Sequence, residues 1–413
     1  MSPKTSKRSQ SKTDFNISQR ALKISDSLGE IIHGRIKENN GEISFSEFMQ
    51  VALYEPQLGY YQNNLEKFGS QGDFVTAPEI SKFFAGCLAQ SLTEILTDGL
   101  KYSESTGKES TTEQSIMEIG AGSGRLAVDL LTALAASSRL PANYYILEPS
   151  ATLQSQQSEL LAKELPEYFE KIQWLVELPQ SFEGVIIANE VIDALPFDRI
   201  IKQTESWYRL NVSYSNDRFS EILGHPLPES MLPKYLSDNE NYPVGYKTEI
   251  RPIAKGWISA LASCLSSGAI ILADYGYPEH ELYHAQRAAG SLKCFINHHQ
   301  HDDPFQHIGL QDITAHVDFT DIAYSAYENG MEISGFTTQA GFLLENGITE
   351  SAGSHEQHKS KQQSQKQTYE VSRELQQLLM PGQMGEVIKV MLLTKNTNHS
   401  IKGFSLQDHL RRL

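Results

Sequence analysis

The stretch Glu118-Ile119-Gly120-Ala121-Gly122-Ser123-Gly124 places three glycines at alternate positions, after a short apolar run and before a segment of helical periodicity. Glycine at such a turn lets the chain reverse tightly and lets a ligand approach backbone that a Cβ would block. The dinucleotide fingerprint needs its third glycine one position later, and that position is Arg125. The alternate spacing G-x-G-x-G therefore departs from that fingerprint. Glu148 closes the next apolar run. A carboxylate there can accept both hydroxyl protons of a ribose, which points to an adenosine-containing ligand. Farther along, Asn189-Glu190-Val191-Ile192-Asp193 follows the apolar run at 184–188. Ligands in open α/β sheets sit beyond the carboxyl ends of strands, so Asn189 and Glu190 are expected to face the ligand and its reaction partner. A carboxylate at that place can orient a guanidinium bidentately and collect a proton from a reacting nitrogen. The bland alternatives are a solvated loop acid at Glu190 and a helix cap at Asp193.

A second group of candidates lies at 298–318, where His298, His299, His301, Asp302, Asp303, His307, Asp312, His316 and Asp318 crowd together. Imidazoles and carboxylates in such density suit Zn²⁺ or Fe²⁺. The geometry argues otherwise. There is no HExxH and no histidine pair at helical spacing, and neighbours such as His298 and His299 point apart in an extended chain. The segment is expected to bind no metal. It reads as a polar loop ordered over the site face by Pro304 and by Phe305 or Phe319, recognising a protein substrate.

Elements that could position these residues alternate along the chain. Residues 18–36 carry apolar positions at helical spacing, 46–61 end in a turn at Glu55-Pro56 and Gly59, a Gly-rich loop spans 68–78, and 79–96 read as a helix. The polar stretch 103–115 is a candidate boundary. Beyond it, apolar runs at 116–119, 144–147, 172–176, 184–188, 269–273 and 387–393 read as strands, the continuous ones buried on both faces. Helices are expected at 125–136 and around Trp257, and a hairpin over 199–223 centred on Trp207 to Leu210. The expected fold is α/β: a Rossmann-like sheet with helices on both faces, an N-terminal helical region and inserted segments. The division is a disordered basic tail at 1–17, a helical lid region at 18–112 and a main domain at 113–394. That domain has insertions at about 200–250 and 277–330 and a mobile Ser/Gln/His/Lys-rich loop at 351–368. A C-terminal tail follows at 395–413.

Composition narrows the function classes. The net charge is −16, from 35 basic and 51 acidic residues. Such a surface repels phosphate backbones, so nucleic acid is not an expected partner, whereas a basic protein segment would be drawn to it. The three cysteines, Cys87, Cys264 and Cys294, form no CxxC pair, which fits a reducing compartment and no thiolate zinc site. No apolar run approaches the roughly eighteen residues of a spanning helix. A cytoplasmic setting is expected, with a mitochondrial one if the basic start (Lys4, Lys7, Arg8, Lys12) is a transit peptide.

The Gly120–Gly124 spacing resembles motif I of class I methyltransferases, and further stretches together resemble the MidA-like methyltransferases. These are Tyr54-Glu55-Pro56-Gln57-Leu58-Gly59-Tyr60-Tyr61, Gly72-Asp73-Phe74-Val75-Thr76-Ala77-Pro78-Glu79-Ile80, the segment from Asn189 to Pro196, Ala273-Asp274-Tyr275-Gly276, the run Gly309 to Phe319, and Met380-Pro381-Gly382-Gln383-Met384-Gly385. They span nearly the whole expected folded chain. Mitochondrial members of that family act as protein arginine methyltransferases in respiratory complex I assembly. The resemblance implies S-adenosyl-L-methionine as cofactor and a protein substrate carrying the acceptor arginine, for instance a respiratory-complex subunit. It makes Glu118, Gly120, Ala121, Gly122 and Gly124 the cofactor turn and Glu148 the ribose acceptor. Glu190, Asn189 and Asp193 would orient the acceptor nitrogen. The loop at 72–79 would pack over the donor, with Thr76, Asp73 and Glu79 in contact. Asp274 and Tyr275 would line the acceptor channel or serve as structural groups. Rival readings are a non-catalytic assembly factor of the same fold, a dinucleotide-dependent oxidoreductase, which Arg125 disfavours, and a metal-dependent hydrolase.

Overall fold

In the computed structural model, which describes residues 17–65, 67, 76–98, 114–238, 242–356, 361–397 and 401–413, local sequence signals set the first elements. Ser18 starts α1 (Gln19–Glu38) by accepting the Ala21 N–H on its hydroxyl. A two-residue strand, β1 (Ile43–Ser44), leads into α2 (Phe45–Tyr54). There Ser44 and Glu47 form a reciprocal capping box, each side chain accepting the other's N–H at 3.1 and 2.8 Å. The short α3 (Ala77–Ile80) and the long α4 (Lys82–Asp98) follow.

The core then alternates β2 (Ser115–Ile119), α5 (Arg125–Ala136), β3 (Tyr144–Leu147), α6 (Ala151–Glu164), β4 (Ile172–Leu175) and β5 (Phe182–Asn189). An excursion of β6 (Asp198–Lys202), β7 (Trp207–Ser215), β8 (Arg218–Pro226), α7 (Lys234–Asp238) and β9 (Lys247–Ile250) separates β5 from α8 (Pro252–Cys264) and β10 (Leu265–Tyr277). A second excursion holds α9 (Glu279–Leu282), β11 (Lys293–Ile296), β12 (His299–His301), β13 (Asp312–Thr314) and β14 (Val317–Asp318). The chain ends through α10 (Phe319–Glu328), β15 (Glu332–Thr338), α11 (Gln339–Glu345), α12 (Ile348–Glu356), α13 (Lys361–Leu379), α14 (Met384–Val387) and β16 (Ile388–Lys395).

The central sheet runs β4-β3-β2-β5-β10-β16-β15, with β14 beside β10. The strands from β4 to β10 are parallel, and β16 is antiparallel to both its neighbours. From β2 the chain proceeds outward to β3 and β4, then crosses to the other side at β5, so strand order reverses between β2 and β5. A ligand crevice is expected at that reversal. Successive strand residues feed opposite faces. Ile116, Val185, Ile187 and Ile271 pack with α4, α5 and α6 on one side; Met117, Ile186, Ile270 and Leu272 pack with α8 and α10 on the other. Each fully buried side chain of this kind contributes roughly 1.5–3 kcal/mol.

Gly184 and Gly268 face each other in register across β5 and β10, with φ of +136° and +135°. A Cβ on Gly268 would lie 1.9 Å from the Gly184 carbonyl oxygen. Gly268→Ala is expected to cost about 3 kcal/mol from strain and overpacking together, read as a lowered urea midpoint with an unchanged slope.

Several expected boundaries move. The stretch 351–368 is not a loop where described. It lies within α12, anchored by the buried Ile348 and Ala352, and α13, whose Gln-, Lys- and Glu-rich composition suits helix and whose buried anchor is Leu378; residues 357–360 lie outside the described residues. Nor are 401–413 a tail. The buried Phe404 ring packs 5.6 Å from that of Phe342, and the Glu345 carboxylate accepts the N–H groups of Gly403, Ser405 and Leu406. The helix at 79–96 belongs to the main core, because α4 packs against α5. The 112/113 boundary and residues 1–16 lie outside the described residues. Trp207 to Leu210 sit within the middle strand of an antiparallel sheet, β1-β7-β6-β9 with β8 beside β7, rather than at a bend. The second insertion stops before α10, which packs on the central sheet.

Candidate active site

At the point where strand order reverses, a cleft of about 550 Å³ opens among residues that follow β2, β3, β4 and β5. Gly120, Gly122 and Gly124 all take left-handed φ, +66°, +55° and +85°, and Gly124 starts α5. A Cβ on Gly120 would come 3.1 Å from Val191 Cγ2, so the bend both needs glycine and leaves its backbone open to the cleft. Beneath it Tyr144 donates to Glu118 Oε2 at 2.6 Å, and burial pushes the Glu118 carboxyl up to about 7. Glu148 is buried and lines the cleft, its Oε1 accepting the Ser150 N–H at 2.9 Å. Gln157, a buried polar residue on α6, donates to both the Gly122 carbonyl (2.9 Å) and Glu148 Oε2 (3.2 Å), while accepting from Trp174 Nε1. It fixes the bend and the acid relative to each other. Burial raises the Glu148 carboxyl, and the Ser150 and Gln157 donors oppose that rise.

The other end of the cleft is built by the residues after β5. Glu190 adopts φ +55°, a conformation rare outside glycine, and its N–H donates to the Ala273 carbonyl. Its Oε1 accepts the Ala77 N–H at 3.2 Å and Asn189 Nδ2 at 3.3 Å. Glu190 Oε2 and Asn189 Oδ1 are buried with no hydrogen-bond partner among the described residues. Burial pushes the Glu190 carboxyl up to about 8, the Ala77 N–H opposing and Asp274 reinforcing the rise. Asp193 is buried in a turn and lines the cleft, its carboxyl held well above the usual range by burial and then by Asp274 and Asp312. Neither bland reading holds: Glu190 is no solvated acid, and Asp193 caps no helix.

Thr76, at the N-terminus of α3, and Glu79 also line the cleft, and Ser123 donates to Glu79 across it. Asp73 lies outside the described residues. Asp274 and Tyr275 do not line the cleft. Asp274 instead turns its buried Oδ2 to the N–H groups of Val191, Ile192 and Asp193, at 3.1, 2.7 and 3.2 Å, and its Oδ1 to that of Tyr275. The reason is geometric: the loop leaving β5 folds back over the end of β10 and exposes consecutive amides that an acid must satisfy. Asp274→Ala is expected to cost about 3 kcal/mol, because four backbone N–H groups, two of them in fully buried contacts, lose their acceptor, measured by urea unfolding.

Several cleft residues had no assigned role in the sequence. Tyr54 and Tyr61 stack at 5.5 Å, with Tyr54 donating to the Ala194 carbonyl and Tyr61 to Asp312 Oδ1, both at 2.9 Å. Ile253 and Trp257 of α8 flank the opening. Arg251, just before α8, donates to the carbonyls of Asp193, Leu195 and Ala315 and fixes the acidic loop from behind. Their only sequence signal was the Tyr54–Tyr61 stretch, since the rest meet across long separations.

The histidine-rich segment contributes β12 and β13 to a small β12-β11-β13 sheet, and its residues 302–311 form the loop between them. Phe305 packs edge-on to Phe48 of α2, whereas Phe319 is buried in the main core beside Phe336 and orders nothing over the cleft. What reaches the cleft from this segment is Asp312. His316 is partly buried and pushed down to about 4 by desolvation and then by Arg287 and Arg251. Among the described residues no three His, Cys, Asp or Glu side chains are grouped to hold a metal ion, and no helix is long and apolar enough to cross a membrane.

Residues 100–337 match a family model described as "Putative S-adenosyl-L-methionine-dependent methyltransferase". Among solved structures, a Burkholderia thailandensis superfamily member described as a "likely methyl transferase" and bound to S-adenosyl-homocysteine superposes with a TM-score of 0.87. It is 34% identical, and the match covers 96% of this chain and 99% of that one. Curated relatives include a mitochondrial protein arginine methyltransferase NDUFAF7 homolog from Caenorhabditis elegans, 25% identical over 75% of this chain and 74% of its own. The Xenopus tropicalis protein of that name is 28% identical over 75% of this chain and 73% of its own. The expected cytoplasmic setting draws no support from these relatives, which are named mitochondrial.

Proposed function

The chain belongs to this family of S-adenosyl-L-methionine-dependent methyltransferases, and from that premise we propose that it methylates a guanidinium nitrogen of an arginine in a protein. The cleft suits the cofactor. Its glycine bend would be filled by a Cβ at Gly120, Glu148 offers a buried carboxylate, and about 550 Å³ is ample for one ligand of that size. Gly120, Ala121, Gly122 and Gly124 would hold the donor along the bend with Glu118 beneath them, Glu148 would accept from its ribose hydroxyls, and Thr76 would close over it. The bound donor supplies an electrophilic methyl carried on a sulfonium.

The observation that carries the arginine reading is a pair of buried oxygens, Glu190 Oε2 and Asn189 Oδ1, that have no hydrogen-bond partner among the described residues, at the far end of the cleft. A buried acceptor without a donor is costly, and a guanidinium brings five donors in a planar fork. Glu190, ionised by the arriving cation, would orient the reacting nitrogen and take the proton it sheds; Asn189 would accept a second N–H, and Asp193 would reinforce the field. Positioning of this kind supplies most of the acceleration in a direct displacement. The names of the curated relatives point the same way. The test is incubation of the purified protein with donor carrying a tritiated methyl and an extract from cells lacking it, followed by hydrolysis and mass spectrometry. Label in methylarginine is the expected result; label only in lysine or in small molecules overturns the reading.

A further inference from the structure

Behind the cofactor end of the cleft, a fully buried glutamine uses its whole amide. Gln157 Nε2 donates to the Gly122 carbonyl at 2.9 Å and to Glu148 Oε2 at 3.2 Å, and its Oε1 accepts the indole N–H of Trp174 at 3.0 Å. These partners permit one orientation of the amide. Turned over, it would set its oxygen against a carbonyl and a carboxylate, and its N–H groups against an indole that can only donate. Trp174 lies on β4, the edge strand beside β3, half-buried and packed against Phe169 with ring centroids 6.1 Å apart. Neither Gln157 nor Trp174 lines the cleft, so the indole N–H can act on a ligand only through the amide.

We propose that Trp174 and Gln157 are a positioning pair: the indole N–H fixes which way the amide faces, and the amide aims Glu148 at the two ribose hydroxyls of the cofactor. The proposal rests on Glu148 being the ribose acceptor, as read above, and names what sets its aim. The terminal torsion of a glutamate is broad when nothing holds it. Here both oxygens are held from the protein side, Oε1 by the Ser150 N–H and Oε2 by Gln157. Each carboxylate oxygen still has a lone pair to offer a hydroxyl, and the plane in which those lone pairs lie is set before the ligand arrives. A first layer of contacts held by a second in this way is what keeps a site selective. Sites built to hydrogen-bond a hydroxyl reject the analogue that lacks it, so the pair should sharpen the choice of ribose over a sugar without hydroxyls.

The experiment compares, by calorimetry, the binding of S-adenosylhomocysteine and of its 2′,3′-dideoxyribose analogue. The preference is a ratio within one protein, so a variant that merely loosens the bend or the core weakens both ligands and leaves the ratio intact. Wild type is expected to prefer the hydroxylated ligand at least about thirtyfold. Gln157→Met, which keeps an unbranched side chain in the same space, should cut that preference about tenfold. Trp174→Phe, which keeps a ring on β4 and removes the N–H, should cut it about threefold. Should Trp174→Phe not fold, protein carrying 3-benzothienylalanine at position 174, with sulfur in place of the N–H at the same size, takes its place. An unchanged ratio in Gln157→Met overturns the pair, and an unchanged ratio on removal of the indole N–H overturns the part of Trp174. Equal binding of the two ligands by wild type removes the ribose role of Glu148, and this proposal with it.

Discussion

On the proposed arginine reading, Glu190→Gln is expected to lower kcat/KM for methyl transfer about a thousandfold while S-adenosylhomocysteine affinity stays within about threefold, because it removes the carboxylate that would orient and deprotonate the acceptor. The amide keeps the size of the side chain and can still accept from Ala77 and Asn189 on one oxygen. What it loses is the capacity of Oε2, buried and without a partner among the described residues, to ionise and take up a proton. Stability should move the other way. The Glu190 carboxyl is raised from its ordinary value of 4.5 to about 8 by burial. Between those two pH values the folded protein keeps a proton that the unfolded chain has released, so this group destabilises the fold increasingly as pH rises through that window. Glu190→Gln removes the dependence. Its melting temperature relative to wild type should therefore climb between pH 5 and pH 9, by an amount worth about 4 kcal/mol. A variant less stable at pH 9 than at pH 5, relative to wild type, would mean that the acid is ionised and well paired in the resting protein.

Glu148→Ala should weaken S-adenosylhomocysteine binding about a hundredfold by calorimetry, with the variant still folded at the temperature used. Two hydrogen bonds from ribose hydroxyls to a carboxylate contribute about 3 kcal/mol together, and 1.4 kcal/mol is tenfold in affinity. The loss is sharpened by Gln157. With the acid gone, its amide keeps the contact to the Gly122 carbonyl but loses its second acceptor, so the bend is held on one side only. Normal cofactor affinity in this variant would contradict the ribose role.

The two expectations differ in how far the sequence revealed them. The cofactor end was legible because it is local: alternate glycines between a strand and a helix and an acid closing the next strand lie within one βαβ unit, where spacing and geometry are nearly the same information. Glu190 was legible for a similar reason, as an acid just past a buried strand. The companions of Glu190 were not. Asp312 meets Tyr61 across 251 positions of chain, and it stood in a histidine-rich run whose density invites thoughts of metal. Asp274 shows the converse failure. Its place at a strand end gave it the look of a channel residue, but a carboxylate at the end of β10 is needed to satisfy the amides of the loop leaving β5, a demand invisible until that loop has a conformation. The helical stretch after Ile348 was hidden by composition, since glutamine and lysine serve a surface helix and a loop equally well.

Crystals of the protein grown with S-adenosylhomocysteine test the central claim most directly. The account expects the ligand to lie along Gly120, Gly122 and Gly124, its ribose hydroxyls within hydrogen-bonding distance of Glu148 and its sulfur turned toward Glu190. A ligand seated elsewhere, or one that meets the bend without engaging Glu148, would contradict it.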